Sequence, residues 1–221
     1  MRLLKNLAKQ MNPREDLTWD EARTILATRI KELALPFDLD KFWAPLKIYL
    51  SAFQAQAASL KLTAAKTRRD LIEGPVLDAL FLAGHLPEKA ICADLGTGAG
   101  FPGFIVKIAR PDLTVYLVEA YAPRVAFMRE LIQKLGLEKA YALKCHLGFE
   151  SFSLKVPVAI GRGYGSVAKF VTHAAHLCQA KEAYYLWRKD VEPWPTNDLP
   201  LRLVRRLPFP GKPLELLFWQ A

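Results

Sequence analysis

The sequence predicts an α/β protein with a Rossmann-like fold, in which a mostly parallel sheet ends in a C-terminal antiparallel hairpin and an N-terminal helical extension comes first. Three observations predict it. From residue 90, short apolar runs alternate with helical patterns, which is typical of a parallel sheet covered by helices on both faces. The first run leads into a glycine-rich turn at residues 94–103. The last two runs, 201–207 and 214–219, flank a Phe-Pro-Gly-Lys-Pro turn, which indicates a hairpin.

Helical patterns occupy the chain before the alternating region. Three helices are expected there, at residues 16–35, 40–60 and 70–84. Thr18 and Glu21 have the spacing of a capping box at the start of the first helix, and Pro36 marks its end. The second segment carries a stripe of aromatic residues, which we interpret as core packing. We therefore divide the chain into an N-terminal helical extension and a larger domain, at residues 1–84 and 85–221.

The alternating region contains five expected strands and three expected helices. The strands are expected at residues 90–94, 114–119, 140–144, 156–160 and 183–187. The helices are expected at residues 103–110, 122–135 and 167–178. Pro102 suits the start of the first of these helices, and Gly136 suits the end of the second.

Charge and composition restrict the class of protein. The chain has 31 lysines and arginines against 22 acids, a net charge of +9, which indicates a polyanionic partner such as RNA, although anionic lipid would fit as well. No apolar run approaches the ~20 residues that cross a bilayer. The three cysteines are far apart and odd in number, which indicates a reducing compartment. We expect a cytoplasmic monomer without membrane contact, whose basic residues 1–15 form a docking helix.

Two nucleotide-binding patterns overlap in the glycine-rich turn. Residues 98–103 satisfy the dinucleotide pattern G-x-G-x-x-G. Residues 94–100 instead match the D-x-G-x-G-x-G turn of class I S-adenosylmethionine methyltransferases, through Asp94, Gly96, Gly98 and Gly100. Glu119 ends the next strand, where a carboxylate binds the ribose hydroxyls of either cofactor, so it does not discriminate between them.

Asp94 favours S-adenosyl-L-methionine. It is expected at the end of its strand, where it could face the cationic amino group of the methionine part. A pyrophosphate would be repelled by an acid at that place, whereas a ligand with ammonium and sulfonium charges would not. The chain also has no room for a second mononucleotide-binding half, because a hairpin follows the fifth strand.

The residues around this turn resemble a known family. The segments GTGAGFPG, IARPDLTVYLVEA and PRVAFMRELIQKLGL resemble the RsmG (GidB) family of ribosomal RNA methyltransferases, whose members methylate N7 of a guanine in bacterial small-subunit RNA. The similarity covers most of residues 60–190. The sequence departs from the family pattern after the fifth strand, at residues 187–190, and at four other positions, all of which leave the turn intact: Gly74, Pro75, Ala79 and Pro123.

The resemblance implies a set of site residues. Gly96 and Phe101 would line the cofactor site, and Phe149 and Glu150 would flank the adenine. Arg162 would project from the end of the fourth strand, at the sheet edge where ligands of such folds bind, and is the candidate for positioning the reactants.

Basic residues are the candidates for RNA contact. The connector at residues 61–69 carries four positive charges and no acid, and is either a solvated loop or a phosphate-contacting one. The expected RNA-binding set is Lys61, Lys66, Arg68, Arg69, Arg124 and Arg188. Tyr164 could stack on a base, although packing is the more frequent role of such a residue.

The expected chemistry needs neither a metal nor a general base. His173, His176 and Cys178 lie close in sequence, but no second ligand pair completes a zinc site. Guanine N7 has a lone pair and no proton in the neutral base, so its methylation requires alignment of the reactants and not deprotonation. Two alternatives stay open at this point: a class I methyltransferase that acts on a small molecule, and a non-catalytic relative that binds the ribosome.

Overall fold

The computed structural model describes residues 16–60, 67–195 and 198–221. Within these residues the seven α-helices are α1 Trp19–Glu32, α2 Trp43–Gln56, α3 Arg68–Leu71, α4 Leu77–Ala83, α5 Gly103–Ala109, α6 Ala122–Lys134 and α7 Val167–His176. The strands are β1 Ile91–Leu95, β2 Thr114–Glu119, β3 Ala140–Lys144, β4 Val158–Arg162, β5 Glu182–Arg188, β6 Arg202–Pro208 and β7 Leu214–Gln220. No helix in this part of the chain combines the length and the apolar character that a membrane span requires.

The seven strands form one sheet in the order β3-β2-β1-β4-β5-β7-β6. The pairs among β1 to β5 are parallel. β7 is antiparallel to both β5 and β6. This arrangement, a mostly parallel sheet that ends in a C-terminal antiparallel hairpin, confirms the predicted fold class.

Several element boundaries differ from the prediction. β1 continues through Leu95, so Asp94 lies within the strand and not at its end. β4 was expected at residues 156–160 but begins after Pro157, which has no N–H for the ladder, and ends at Arg162. The helix expected at 70–84 is interrupted by a π-helical turn, Ile72–Val76. Gly74 has non-helical dihedral angles there (φ −96°, ψ −111°), and Pro75 cannot donate a helical hydrogen bond.

The capping box of α1 is confirmed. The backbone N–H of Glu21 donates to the Thr18 hydroxyl at 3.2 Å, and the backbone N–H of Thr18 donates to the Glu21 carboxylate at 2.8 Å. The two bonds satisfy amide groups that have no partner within the helix. α1 ends at Glu32, four residues before Pro36, so the proline follows the helix and does not terminate it.

The N-terminal helices share a continuous hydrophobic core with the sheet. Tyr49 of α2 is fully buried, and its ring stacks on Phe104 of α5 with 4.5 Å between centroids. Its hydroxyl donates to the carbonyl oxygen of Ala99 in the glycine-rich turn at 3.0 Å. Phe101 packs its ring against Tyr49 and Phe53, at 5.5 and 5.0 Å. The helical extension therefore supports the turn from behind.

Candidate functional site

Asp94 fixes the glycine-rich turn from beneath. Its side chain is fully buried, and one carboxylate oxygen, Oδ2, accepts hydrogen bonds from the Thr97 hydroxyl at 2.5 Å and from the Gly103 N–H at 2.7 Å. The other oxygen, Oδ1, is buried without a hydrogen-bond partner among the described residues. Burial raises the pKa of Asp94 to about 7, although the two hydrogen bonds act in the opposite direction. Asp94 thus connects both ends of the turn and keeps one oxygen available.

The glycines of the turn serve two different purposes. Gly98 has a φ of +62°, and a Cβ atom there would project into open space. A Cβ at Gly100 would lie 2.8 Å from Cβ of Phe104 and 2.9 Å from the Tyr49 hydroxyl. A Cβ at Gly103 would lie 2.7 Å from the Asp94 carboxylate. Gly98 therefore leaves room on the open side of the turn, whereas Gly100 and Gly103 permit close packing on the core side.

Glu119 stands at the end of β2, beside the turn. Its two oxygens accept hydrogen bonds from the N–H groups of Gly98, at 3.0 Å, and Tyr121, at 2.8 Å. Arg124 lies 3.8 Å from the same carboxylate. Since each carboxylate oxygen has two lone pairs, Glu119 retains the capacity to accept one hydroxyl on each oxygen.

A pocket of about 150 Å³ opens beside Gly96 and Glu119. The ring of Tyr164 covers Gly96 so closely that a Cβ there would lie 2.6 Å from the ring. The Tyr164 hydroxyl is hydrogen-bonded to Nδ1 of His173 at 2.7 Å, which fixes the ring in this position. The remaining lining residues are Val118, Ala120, Cys145, His146, Leu147 and Lys169.

Phe149 and Glu150 lie next to this pocket, beside its wall residue His146. Phe149 is 80% exposed, with its ring 4.3 Å from the His146 ring. The Glu150 carboxylate accepts from the backbone N–H of His146 at 3.0 Å and lies 3.6 Å from the Lys144 ammonium. The Phe149 ring is thus an exposed apolar face beside a residue of the pocket wall. Phe101, in contrast, has its ring on the core side of the turn.

Arg162 is directed to an acid of the helical extension. Its guanidinium contacts the Asp78 carboxylate through Nε at 3.1 Å and Nη2 at 3.0 Å. Asp78 is almost fully buried in α4, and its other oxygen accepts from Lys212 Nζ at 2.7 Å. The structure therefore places Arg162 in a three-residue ionic cluster.

The candidate RNA-binding arginines in the described residues all contact other groups of the chain. Arg68 donates to the carbonyl of Leu17, and its guanidinium lies 4.9 Å from the Trp19 ring centroid. Arg124 donates to the carbonyl of Leu60 at 3.0 Å. Arg69 and Arg188 pair with Glu73 and Asp190. Arg124 also lies 3.8 Å from Glu119 in the pocket wall. Lys61, Lys66 and the basic residues 1–15 lie outside the described residues.

Some residues at the site were not predicted from the sequence. Cys145, His146 and Lys169 have no motif that distinguishes them, since they reach the pocket only through the fold. Lys212 is 134 residues from Asp78, its partner. The described residues contain no group of three or more histidine, cysteine or acidic side chains arranged to hold a metal ion. His173 instead bonds to Tyr164.

The family comparison matches this region of the chain. The model of the family described as GidB, rRNA small subunit methyltransferase G, matches residues 43–192, which include the pocket and α2.

The chain belongs to this family.

Individual relatives agree with the family match. The ribosomal RNA small subunit methyltransferase G of Vibrio campbellii is 25% identical over 177 residues, which cover 79% of this chain and 83% of the relative. The protein of the same name from Nitrosospira multiformis is 33% identical over 139 residues, 63% of this chain and 64% of the relative. The one from Desulfotalea psychrophila is 51% identical over 69 residues, 31% of this chain and 32% of the relative.

Solved structures of low sequence identity share the fold of this chain. A structure of MtNAS in complex with S-adenosylmethionine has a TM-score of 0.58 at 13% identity, and covers 92% of this chain and 97% of that chain. The mitomycin 7-O-methyltransferase MmcR has a TM-score of 0.53 at 17% identity, over 69% of this chain and 56% of that chain. Both likenesses concern the fold alone.

Three features of the site fit S-adenosyl-L-methionine, the methyl donor of this methyltransferase family. The open side of Gly98 leaves space against the turn backbone. Glu119 has spare lone pairs for ribose hydroxyls. The unpaired Oδ1 of Asp94 supplies a buried acceptor beneath the turn.

Proposed function

We propose that the chain transfers a methyl group from S-adenosyl-L-methionine to N7 of a guanine in small-subunit ribosomal RNA. The observation that carries the proposal is the arrangement of Asp94, Gly98 and Glu119 in a chain that belongs to the rRNA small subunit methyltransferase G family. The net charge of +9 supports a polyanionic substrate. The proposed substrate also implies a cytoplasmic place of action, and we propose a monomer.

The residues of the site have separate roles in this proposal. When bound, the cofactor supplies a methyl group on a positively charged sulfur. Glu119 accepts the ribose hydroxyls, and the positive charge of a bound cofactor would favour the ionised form of the buried Asp94 carboxyl. Phe149 offers its exposed ring to the adenine.

Alignment is the main catalytic contribution that this site has to make. Guanine N7 attacks through its own lone pair, so no side chain has to remove a proton before the transfer. A site that holds the acceptor nitrogen in line with the methyl group therefore suffices, and orientation of this kind can accelerate a reaction by many orders of magnitude. In this proposal the flipped or single-stranded base enters at the carboxyl edge of the strands, where open α/β sheets bind their ligands.

Methyl transfer to small ribosomal subunits that lack the modification tests the proposal. The protein with isotope-labelled cofactor should label a guanine of the small-subunit RNA. Glu119→Gln should weaken calorimetric binding of S-adenosylhomocysteine, whereas Glu130→Gln on the exposed face of α6 provides a control with the same charge change and should not. Tight cofactor binding without RNA labelling would favour a small-molecule methyltransferase. Absence of cofactor binding would favour a non-catalytic ribosome-binding relative.

A further inference from the structure

Two nearly buried acids at one edge of the sheet each hold two cations. Asp78, 3% exposed, binds Arg162 and Lys212. The Lys212 ammonium also donates to the carbonyl oxygen of Glu73, which belongs to the π-helical turn before α4. Because one cation would neutralise the acid, the second leaves a positive charge at this place.

Glu215 repeats the arrangement. It is 8% exposed, and its oxygens accept from Lys189 at 2.9 Å and from Arg206 at 2.7 Å. Burial alone would raise the pKa of Glu215, but the bonds from Arg206 and Lys189 outweigh it and lower the pKa. The acid is therefore ionised at neutral pH and holds both cations in fixed positions.

Both clusters lie along the carboxyl edge of the strands. Arg162 is the last residue of β4, and Lys189 directly follows β5. The backbone N–H of Lys189 donates to the carbonyl of Pro213 at 3.0 Å, next to Lys212 in the turn between β6 and β7. Open parallel sheets bind their ligands at this edge, so the clusters extend outward from the proposed methyl-transfer site.

The four cations reach solvent although their acids do not. The exposed fractions of the side chains are 24% for Arg162, 23% for Lys212, 42% for Lys189 and 44% for Arg206. Two acids against four cations leave two positive charges in excess on the accessible side. Paired in this way, the cations lose little further side-chain entropy when an anion binds them.

Aromatic residues accompany the second cluster. The Arg206 guanidinium lies 5.2 Å from the Trp187 ring centroid and 4.8 Å from that of Trp194. Trp194 is 39% exposed, although it packs edge-on against Trp187. Proteins that bind single-stranded nucleic acid use this combination, because bases stack on the exposed aromatic ring while the cations contact phosphates.

We propose that Arg162, Lys189, Arg206 and Lys212 form a basic rim that binds phosphates of a single-stranded segment of the RNA substrate, with Trp194 stacking on a base of that segment. This proposal rests on the function proposed above, and it identifies the surface that receives the RNA. Its residues are distinct from the basic residues predicted from the sequence, except Arg162, which was assigned to reactant positioning.

The salt dependence of RNA binding tests the basic rim. The full chain, with S-adenosylhomocysteine, is titrated with small-subunit RNA that lacks the modification, at several salt concentrations. Lys189→Gln and Lys212→Gln should each raise Kd about fivefold at about 0.1 M salt and reduce the salt slope by roughly one phosphate contact. Trp194→Ala should raise Kd with an unchanged slope.

Two further variants separate RNA contact from structural pairing. Glu215→Gln removes the acid and keeps both cations, so it should bind RNA at least as tightly as the parent, although its melting temperature falls. Lys134→Gln makes the same charge change at the end of α6, which packs near the edge of the sheet opposite to β6. This variant should leave Kd unchanged.

The outcomes distinguish this proposal from the proposed function. If the parent chain methylates the RNA while every rim variant keeps its Kd and salt slope, the basic rim is wrong and the function stands. If Glu215→Gln and Lys189→Gln weaken RNA binding equally, the pairs are structural and the basic rim is again wrong. If the parent chain neither binds nor methylates the RNA, the proposed function itself fails.

Discussion

Asp94 is the residue at which burial most changes the chemistry of the site. Burial raises its pKa from 3.8 to about 7, and the nearby charge of Glu119 adds to the effect, while hydrogen bonds from Thr97 and Gly103 reduce it. Between these two pKa values the folded chain binds more protons than the unfolded chain. The free energy of unfolding therefore falls as pH rises through this range, by at most about 1.4 kcal/mol per pH unit.

Asp94→Asn should abolish this part of the pH dependence. The amide oxygen can still accept from Thr97 and Gly103, but the side chain no longer titrates. In urea unfolding without cofactor, the stability of the parent relative to the variant should decrease from pH 5 to pH 7 and level off above pH 7. Asp112→Asn is the control, because hydrogen bonding to Arg110 lowers the pKa of Asp112 to about 2 and its contribution is constant over this range. Parallel curves for the parent and Asp94→Asn would contradict the expectation.

Gly98→Ala should impair cofactor binding more than folding. The new methyl group meets no protein atom but points into the open side of the turn, and the positive φ costs about 1 kcal/mol of stability. We expect at least about a tenfold loss of S-adenosylhomocysteine affinity by calorimetry.

Two other glycines provide the controls. Gly136 has a φ of +60° and equally open surroundings at the end of α6. Gly136→Ala should therefore lose similar stability but no affinity for S-adenosylhomocysteine. Gly100→Ala should mainly destabilise the fold, because its methyl group collides with Phe104 and the Tyr49 hydroxyl. Equal affinity losses for Gly98→Ala and Gly136→Ala would contradict the assignment of Gly98.

At the residue scale, the sequence identified the turn but not the direction of its side chains. The D-x-G-x-G-x-G spacing located the turn that Asp94 holds, and the expected end of the second strand located Glu119, whose carboxylate contacts Gly98. It did not reveal that the ring of Phe101 faces α2, because that orientation depends on a packing partner about 50 residues away. The contact of Phe149 with adenine stays a prediction.

At the element scale, α2 contacts the glycine-rich turn through aromatic rings and through one hydrogen bond, from the Tyr49 hydroxyl. Tyr49→Phe should keep the ring stacking on Phe104 but leave the carbonyl of Ala99 without its partner, which costs about 1–3 kcal/mol. Chemical unfolding should show this loss, and S-adenosylhomocysteine affinity should fall with it. Tyr141→Phe, at a half-exposed tyrosine of β3, should change neither quantity. An unchanged stability of Tyr49→Phe would show that the turn does not depend on the Tyr49 hydroxyl.

The elements themselves were largely predictable, and the exceptions have local causes. β2 and β3 were placed at their observed bounds, because turns and glycines delimit them clearly. The break before α4 was not predicted, although Gly74 and Pro75 were recognised as departures from the family pattern. The π-helical turn also accepts a hydrogen bond from Lys212 of the distant hairpin at the carbonyl of Glu73, a contact that the sequence does not indicate.

At the scale of the whole molecule, the hydrophobic core does not stop at the predicted domain boundary. Buried residues from α1, α2 and α4 belong to the same cluster as those from β1, α5 and β2. The fragment 85–221 should therefore fail to fold alone, because it would expose the surface that α2 and α4 cover. Circular dichroism and thermal unfolding of the fragment beside the full chain check this. A cooperative transition of the fragment would instead support an independent domain.

The outermost strand, β6, also determines how copies of the chain behave toward one another. A free sheet edge invites another strand to add to it, which leads to aggregation. β6 carries three exposed arginines, at positions 202, 205 and 206, and it has an irregular register between Leu203 and Arg205 and ends at Pro208. Charge repulsion, a distorted ladder and a missing donor each oppose strand addition. The arginine-rich edge thus protects concentrated protein from self-association by β-sheet extension.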